Sequence, residues 1–365
     1  MPAPVSGRRS DNQGMRSRLA AAVALVGGLL SPLAAQTAQA AEPAVQRLRV
    51  IGGLAGMHQY TRHEEPFWTR DLPRLTGGRL VADIAPFDRA GIDPQEMLRL
   101  SELGTIAFGT TLLNASAADP ELMALDLAGL NPDLATLRRG IEAFRPTLTK
   151  LMRERYRVEL LALYVYPAQV AYCRQPFASL SDLAGRRVRV SGLSQWDFVD
   201  ALGAKPVQTP FAQIVPSMVA GSLDCAITGT MSGNTLGLHD VTTHVGSMPI
   251  NWGVAAFVAS GTVWNGLDGE LQAILRREIG RLERTIWQEA EAETGEGLAC
   301  NTGGASCRSG KRGRMTEVRD TAADARLRRE ILVGRVIPAW IKRCGDSCAV
   351  LWKQTLGPVH GITLR

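Results

Sequence analysis

The chain has 365 residues, 45% of them hydrophobic and 21% charged, with a formal charge of +6. These proportions exclude disordered, collagen-like, coiled-coil and multi-span membrane classes. At about 100–200 residues per domain, the length predicts two domains or one large one.

The first element is a leader. From Met15 the chain reads MRSRLAAAVALVGGLLSPLAAQTAQA. Arg16 and Arg18 form a basic start, 19–30 is apolar, and Ala38-Gln39-Ala40 fits the small-x-small cleavage rule. The apolar run is shorter than the about 20 residues that span a bilayer. A signal peptide over 1–40, cleaved after Ala40, is therefore expected, with an exported mature protein. Its removal leaves a charge of +3, with Arg8, Arg9 and Asp11 also lost. That is too little and too scattered for a nucleic-acid partner.

Residues 47–51 (RLRVI) read as a strand, followed by the turn Gly52-Gly53-Leu54-Ala55-Gly56. A helix over 64–75 points Phe67, Trp68, Leu72 and Leu75 inward and stops at Gly77-Gly78. His63-Glu64-Glu65 reads as its solvated start. Strand 79–85, a helix over 93–103 capped by Asp93 with Pro94 at its first position, and strand 104–109 complete βαβαβ. That order predicts a parallel sheet with helices on its faces. A helix over 133–155 leads to strands 156–166 and 169–173. A second βα series follows: strand 187–191, helix 195–202, strand 205–208, helix 211–220, strand 223–228. After strand 253–259, a long helix over 268–295 places Leu271, Ile274, Leu275, Ile279, Leu282 and Ile286 on one face. A last helix is expected over 321–341.

All six cysteines lie beyond the leader: Cys173, Cys225, Cys300, Cys307, Cys344 and Cys348. An even count suits an oxidising compartment and three disulfides. Local spacing favours Cys300–Cys307 and Cys344–Cys348, which leaves Cys173 with Cys225. No matching pair of C-x2-C halves and no HExxH exists, so no metal is expected, nor any cofactor. There is no G-x-S-x-G elbow and no phosphate loop, and no paired carboxylates at helical spacing stand out. An enzyme is therefore not expected, although an exported two-lobe enzyme stays as a distant alternative.

Three segments carry a family resemblance: "TGGRLVADIAP" with "ELGTIAFGTT", then "SLSDLAGRRVRVSG", then "LGAKPVQTPFAQIVPSMVAGSLDCAITG". Together, over about 47–300, they resemble TRAP-transporter periplasmic solute-binding proteins, the DctP-like family. The resemblance implies an α/β clamshell of two lobes with hinge strands and a long lobe-spanning helix. Lobe I would hold 41–165 with about 246–285, and lobe II 166–245 with about 286–365, including the cysteine-rich tail. It implies a periplasmic protein, monomeric or weakly dimeric, that captures a small organic acid by hinge closure. The partners would be that ligand and the membrane permease subunits of a TRAP transporter. A periplasmic sensor for a membrane receptor is the alternative, because it needs the same clamshell.

The second arginine of the D-L-x-G segment pairs with the ligand carboxylate in that family; here it is Arg189. Alternation in Arg187-Val188-Arg189-Val190 puts both arginines opposite the valines. A planar guanidinium can grip a carboxylate through two parallel hydrogen bonds. The chain departs from the family pattern at Cys225, at Gln213, and at Ile227-Thr228-Gly229, where the Thr228 hydroxyl replaces an expected Asn. The family's further arginine is absent, with Ala168 and Gln169 near its place. A monocarboxylate with an apolar or hydroxylated body is thus expected. Backbone amides near Gly53 would complete its hydrogen bonding. Trp196 and Trp252 would shape its apolar end. Gln169, Thr110 at a strand end and Tyr60 at the mouth are further cleft candidates.

Overall fold

The computed structural model describes residues 45–115 and 119–364. The expected signal peptide lies outside the described residues. Strands alternate with helices from the start, and their order decides where the halves meet. The strands are β1 (Gln46–Gly52), β2 (Leu80–Pro86), β3 (Phe108–Leu112), β4 (Val158–Val165), β5 (Gln169–Cys173), β6 (Arg187–Val190), β7 (Lys205–Gln208), β8 (Cys225–Gly229), β9 (His244–Gly246), β10 (Val254–Ser260) and β11 (Thr316–Val318).

They form two sheets. The first runs β2-β1-β3-β10-β4 and the second β11-β9-β5-β8-β6-β7. β1 pairs in parallel with β2 and β3, as the βαβαβ order requires, while β10 enters antiparallel between β3 and β4. In the second sheet β6 lies parallel between β7 and β8, and β5 is antiparallel to β8. The chain crosses between sheets after β4, through Tyr166-Pro167-Ala168, and returns between β9 and β10. The fold is a two-lobe α/β clamshell.

In the first lobe Trp68 packs between Phe108 and Phe257, with ring centroids 5.0 and 5.8 Å away. The third strand begins later than the spacing predicts. Gly104 takes a left-handed turn (φ +73°) after the helix Met97–Glu102, so pairing starts at Phe108 and includes Thr110 and Thr111.

A third connection is the helix Gly269–Thr302, about 50 Å long at 1.5 Å per residue. Its Leu271, Leu275, Ile279, Leu282 and Ile286 pack into the first lobe's core. Its far end packs on the second lobe, where Asn301 Nδ2 donates to Tyr172 Oη at 2.9 Å. The helix runs past the expected end at 295 to Gly303, whose left-handed φ of +80° stops it. Gly297 permits the close approach. A Cβ there would lie 2.3 Å from the Met231 amide nitrogen and 2.4 Å from the Thr230 carbonyl carbon.

All six cysteines are paired: Cys173–Cys225 between neighbouring strands, Cys300–Cys307 and Cys344–Cys348. The tail was expected on lobe II alone, but it packs on both sides. Trp340 Nε1 donates to the Pro120 carbonyl at 2.6 Å, Leu356 and His360 face Gly140 on the helix Leu134–Tyr156, and Arg343 pairs with Asp197. Its apolar faces require this, because Trp340 and Trp352 are fully buried. Helices Asp346–Gln354 and Leu356–His360 follow the last one expected. Among the described residues no helix is long and apolar enough to cross a membrane.

Gly297→Ala should force the long helix away from backbone that cannot move cheaply, with a loss of about 1–3 kcal/mol. Urea unfolding measures it, and a variant as stable as the wild type contradicts the close packing.

Candidate functional site

A cavity of about 550 Å³ lies between the lobes. Leu54, Phe87 and Ile92 line it from the first lobe, and Arg189, Thr209, Phe211 and Thr228 from the second. Tyr166, Gln169 and Gly253 of the crossing segments form its back. The volume suits a small organic molecule.

Arg189 sits on β6 between β7 and β8, with Val188 and Val190 buried on the other face. Its side chain is only 5% exposed. Nε donates to the Thr209 carbonyl at 3.0 Å and Nη1 to the Ile227 carbonyl at 2.7 Å. These bonds aim the guanidinium and leave its other N–H donors free of protein partners among the described residues. No carboxylate of the described residues offsets its charge, and burial lowers its pKa to about 10. It therefore remains protonated at neutral pH. A buried cation without an anion is costly, and an anion in the same low-dielectric cavity removes that cost.

Arg187, the neighbouring arginine of the same strand, has a different role. It holds Asp224 through Nη2–Oδ1 at 2.6 Å and Nε–Oδ2 at 2.9 Å, which pushes the Asp224 carboxyl down to about 2.

The return crossing is held by Asp126. Its carboxylate accepts from Gly253 N at 2.7 Å, Trp252 N at 3.0 Å and Asn251 Nδ2 at 3.0 Å. Gln195 Nε2 donates to Asn251 Oδ1 at 2.7 Å, and Ser191 N donates to Gln195 Oε1 at 2.7 Å. A continuous polar chain thus joins the end of the Arg189 strand to the hinge. Burial pushes the Asp126 carboxyl up to about 6, against these donors.

Several expected site residues stand elsewhere. The Gly53 amide donates to Glu64 Oε2 at 2.5 Å, so its hydrogen is not available to a ligand. Glu64 is fully buried rather than solvated, and also accepts from Thr110 Oγ1 at 3.0 Å and Gln59 Nε2 at 3.2 Å. Thr110 is thereby turned away from the cavity, and Tyr60 is packed in the first lobe at 6% exposure. Trp252 is core, its indole N–H donating to the Asn131 carbonyl at 3.0 Å. Trp196 faces solvent. The apolar wall is instead Leu54, Phe87, Ile92 and Phe211. Arg189, Gln169 and Thr228 do line the cavity. Sequence reasoning missed Tyr166, Ser191 and Thr209. Each lies at or just past the end of a strand, where ligands of α/β sheets collect, and that position was the available signal.

A cavity between two α/β lobes, joined by crossing strands, defines a two-lobed solute-binding protein. The model of the bacterial extracellular solute-binding proteins, family 7 (DctP), matches residues 61–300, and the chain belongs to that family. The family is extracytoplasmic and binds solutes rather than transforming them, and its TRAP members deliver small molecules to membrane components. Among solved structures, the chain is similar to DctP7 of Bordetella pertussis, an extracytoplasmic solute receptor binding pyroglutamic acid. The TM-score is 0.74 at 18% identity, covering 85% of this chain and 99% of that one. It is also similar to a TRAP periplasmic solute-binding protein of Desulfovibrio salexigens with bound orotic acid (TM-score 0.73, 15% identity, 87% and 99% covered). A third is the TRAP protein of Desulfovibrio desulfuricans with bound sn-glycerol-3-phosphate (0.74, 14%, 88% and 99%). No curated protein matches the chain.

Burial pushes the Glu64 carboxyl from 4.5 up to about 7. The folded chain then keeps a proton that the unfolded chain releases, so this group's contribution to stability falls as pH rises from about 4.5 to about 7. Relative to Glu64→Gln, the wild type should lose about 3 kcal/mol between those limits. Urea unfolding of both proteins across the window measures the gap, and a constant gap contradicts the buried, protonated carboxyl.

Proposed function

We propose that this chain is the periplasmic receptor of a TRAP-type secondary transporter, and that it captures a small monocarboxylate between its lobes. The observation that carries the reading is Arg189, a buried cation held by two carbonyls and offset by no carboxylate among the described residues. The ligand carboxylate takes the free N–H donors of the guanidinium, and the Thr228 hydroxyl adds a further hydrogen bond. One buried cation, not two, argues for a single carboxylate. Gln169 lines the cavity, and its amide suits a neutral polar group. Leu54, Phe87, Ile92 and Phe211 receive the apolar body. The ligands named for the solved relatives, pyroglutamic acid, orotic acid and sn-glycerol-3-phosphate, are all small anions, which supports an anionic ligand here.

The mature protein begins after Ala40 and works as a monomer. Its lobe I comprises 41–165 with about 246–285, and its lobe II 166–245 with the rest, the tail strapping both. Ligand touches both lobes and so stabilises the closed arrangement, a hinge-type transition.

A thermal-shift screen of the chain lacking 1–40 against organic acids, sugars and amino acids tests this. One class of monocarboxylates should raise the melting temperature, with about 2.7 kcal/mol of stabilisation at about 100 times the dissociation constant. Arg189→Ala should weaken binding by about 3 kcal/mol, more than 100-fold, and Thr228→Val by about 1 kcal/mol. A shift that survives Arg189→Ala, or a sugar binding better than any acid, overturns the reading.

A further inference from the structure

A second, much smaller cavity lies behind the cleft and shares Tyr166 and Ser232 with it. At about 10 Å³ it holds about one water-sized sphere. Four ionisable side chains converge on it from two elements. His58 and His63 come from the first lobe, at the start and near the end of the helical segment Gln59–Glu64. Glu289 and Glu293 stand one turn apart on the same face of the long helix. His58 Nδ1 meets Glu293 Oε1 and lies 3.7 Å from Glu289 Oε1. His63 Nε2 meets the other oxygen of Glu289. Arg62 Nη1 donates to Glu289 Oε1 at 2.8 Å. All four of the converging side chains are between 12 and 18% exposed.

The geometry is that of a cation site. His58, Glu289 and Glu293 each offer one ligand atom, and these atoms all lie within 4.8 Å of one another. Bonds of about 2.0–2.2 Å place first-row metal ligands about 3 Å apart, so small side-chain rotations close the set. Two carboxylates one turn apart repel, and among the described residues Arg62 pairs with Glu289 and not with Glu293. Among the described residues, the Glu293 carboxylate is paired with an imidazole, that of His58. One imidazole nitrogen and two carboxylate oxygens, with space for water, suit a divalent ion of the zinc type better than magnesium or calcium. Arg62 and His63 then orient the ligating Glu289 from outside, as hydrogen-bonding neighbours of metal ligands do. All six cysteines are in disulfides, so no thiolate competes for the ion.

We propose that His58, Glu289 and Glu293 bind one divalent transition-metal ion, which fastens the first lobe to the long helix behind the ligand cleft. The place is a mechanical joint. The Glu293 carbonyl accepts from Thr230 Oγ1 of the second lobe at 3.1 Å, and His58 precedes the segment that carries Glu64. A bound ion therefore ties the first lobe to the helix at the point where that helix meets the second lobe. This does not depend on which solute the cleft takes.

The test is calorimetric titration of the mature chain, stripped with chelator, with zinc chloride, together with thermal melting and the visible spectrum of the cobalt(II) form. We expect one ion per chain, an upward melting shift of several degrees, and a cobalt spectrum altered from that of the hydrated ion. Glu293→Gln and His58→Ala should each weaken binding at least tenfold, while His244→Ala, on the second sheet, leaves it unchanged. Glu293→Gln keeps the side chain's shape, and the melting temperature without metal reports whether either variant is folded. If a variant is not folded, the stoichiometry and cobalt spectrum of the wild type decide. No binding to the wild type, or a hydrated-ion spectrum, leaves plain imidazole–carboxylate pairs and overturns the proposal. Equal binding by wild type and both folded variants overturns it as well.

Discussion

A guanidinium taken out of water needs an anion or an equivalent set of acceptors, and Arg189 has only two backbone carbonyls. Its placement depends on the order of the second sheet. β6 is interior, so Thr209 just past β7 and Ile227 on β8 supply carbonyls from either side. The same interior position removes water from one flank, and the apolar side chains of the first lobe remove it from the other. Low dielectric strengthens any charge pair formed there. The cost of keeping Arg189 buried is thus what the proposed anionic ligand would offset.

The second constraint is the joint. Two strand crossings and one helix connect the lobes, and each is fixed by specific contacts. Asp126 gathers the amides of Trp252 and Gly253 with the side chain of Asn251, and Gln195 continues that chain to the end of the Arg189 strand. Gly297 brings the long helix against the second lobe's backbone. The crossing segment is therefore tied by hydrogen bonds to the end of the strand that carries Arg189. The tail, packed against both sides through Trp340 and Arg343, adds a strap outside the cleft.

Most of the fold was legible because its signals are local. Hydrophobic alternation, Gly stops and the Asp93 cap placed most strands and helices, and that cap is made. Arg189 was legible through its segment and its alternation with valines. The rest of the cleft was not, because it depends on long-range burial. Glu64 reads as a solvated helix start, yet it is covered by Gln59 of its own helical segment and by Gly53 and Thr110, which the first sheet brings to it. Trp252 and Trp196 carry no sequence mark that separates core from surface, and they fall on opposite sides of that division. The tail's packing on both lobes likewise follows from apolar faces whose partners, near Pro120 and Gly140, are far away in sequence.

The most direct measurement pairs an acid with its own neutral amide. Calorimetry of the mature chain with a monocarboxylate and with the corresponding carboxamide changes the charge presented to Arg189 and little else. The account predicts that the acid binds at least about 100-fold more tightly, the scale of a buried charge pair. Equal affinity for acid and amide would contradict it, because the buried guanidinium would then have no part in selecting the ligand.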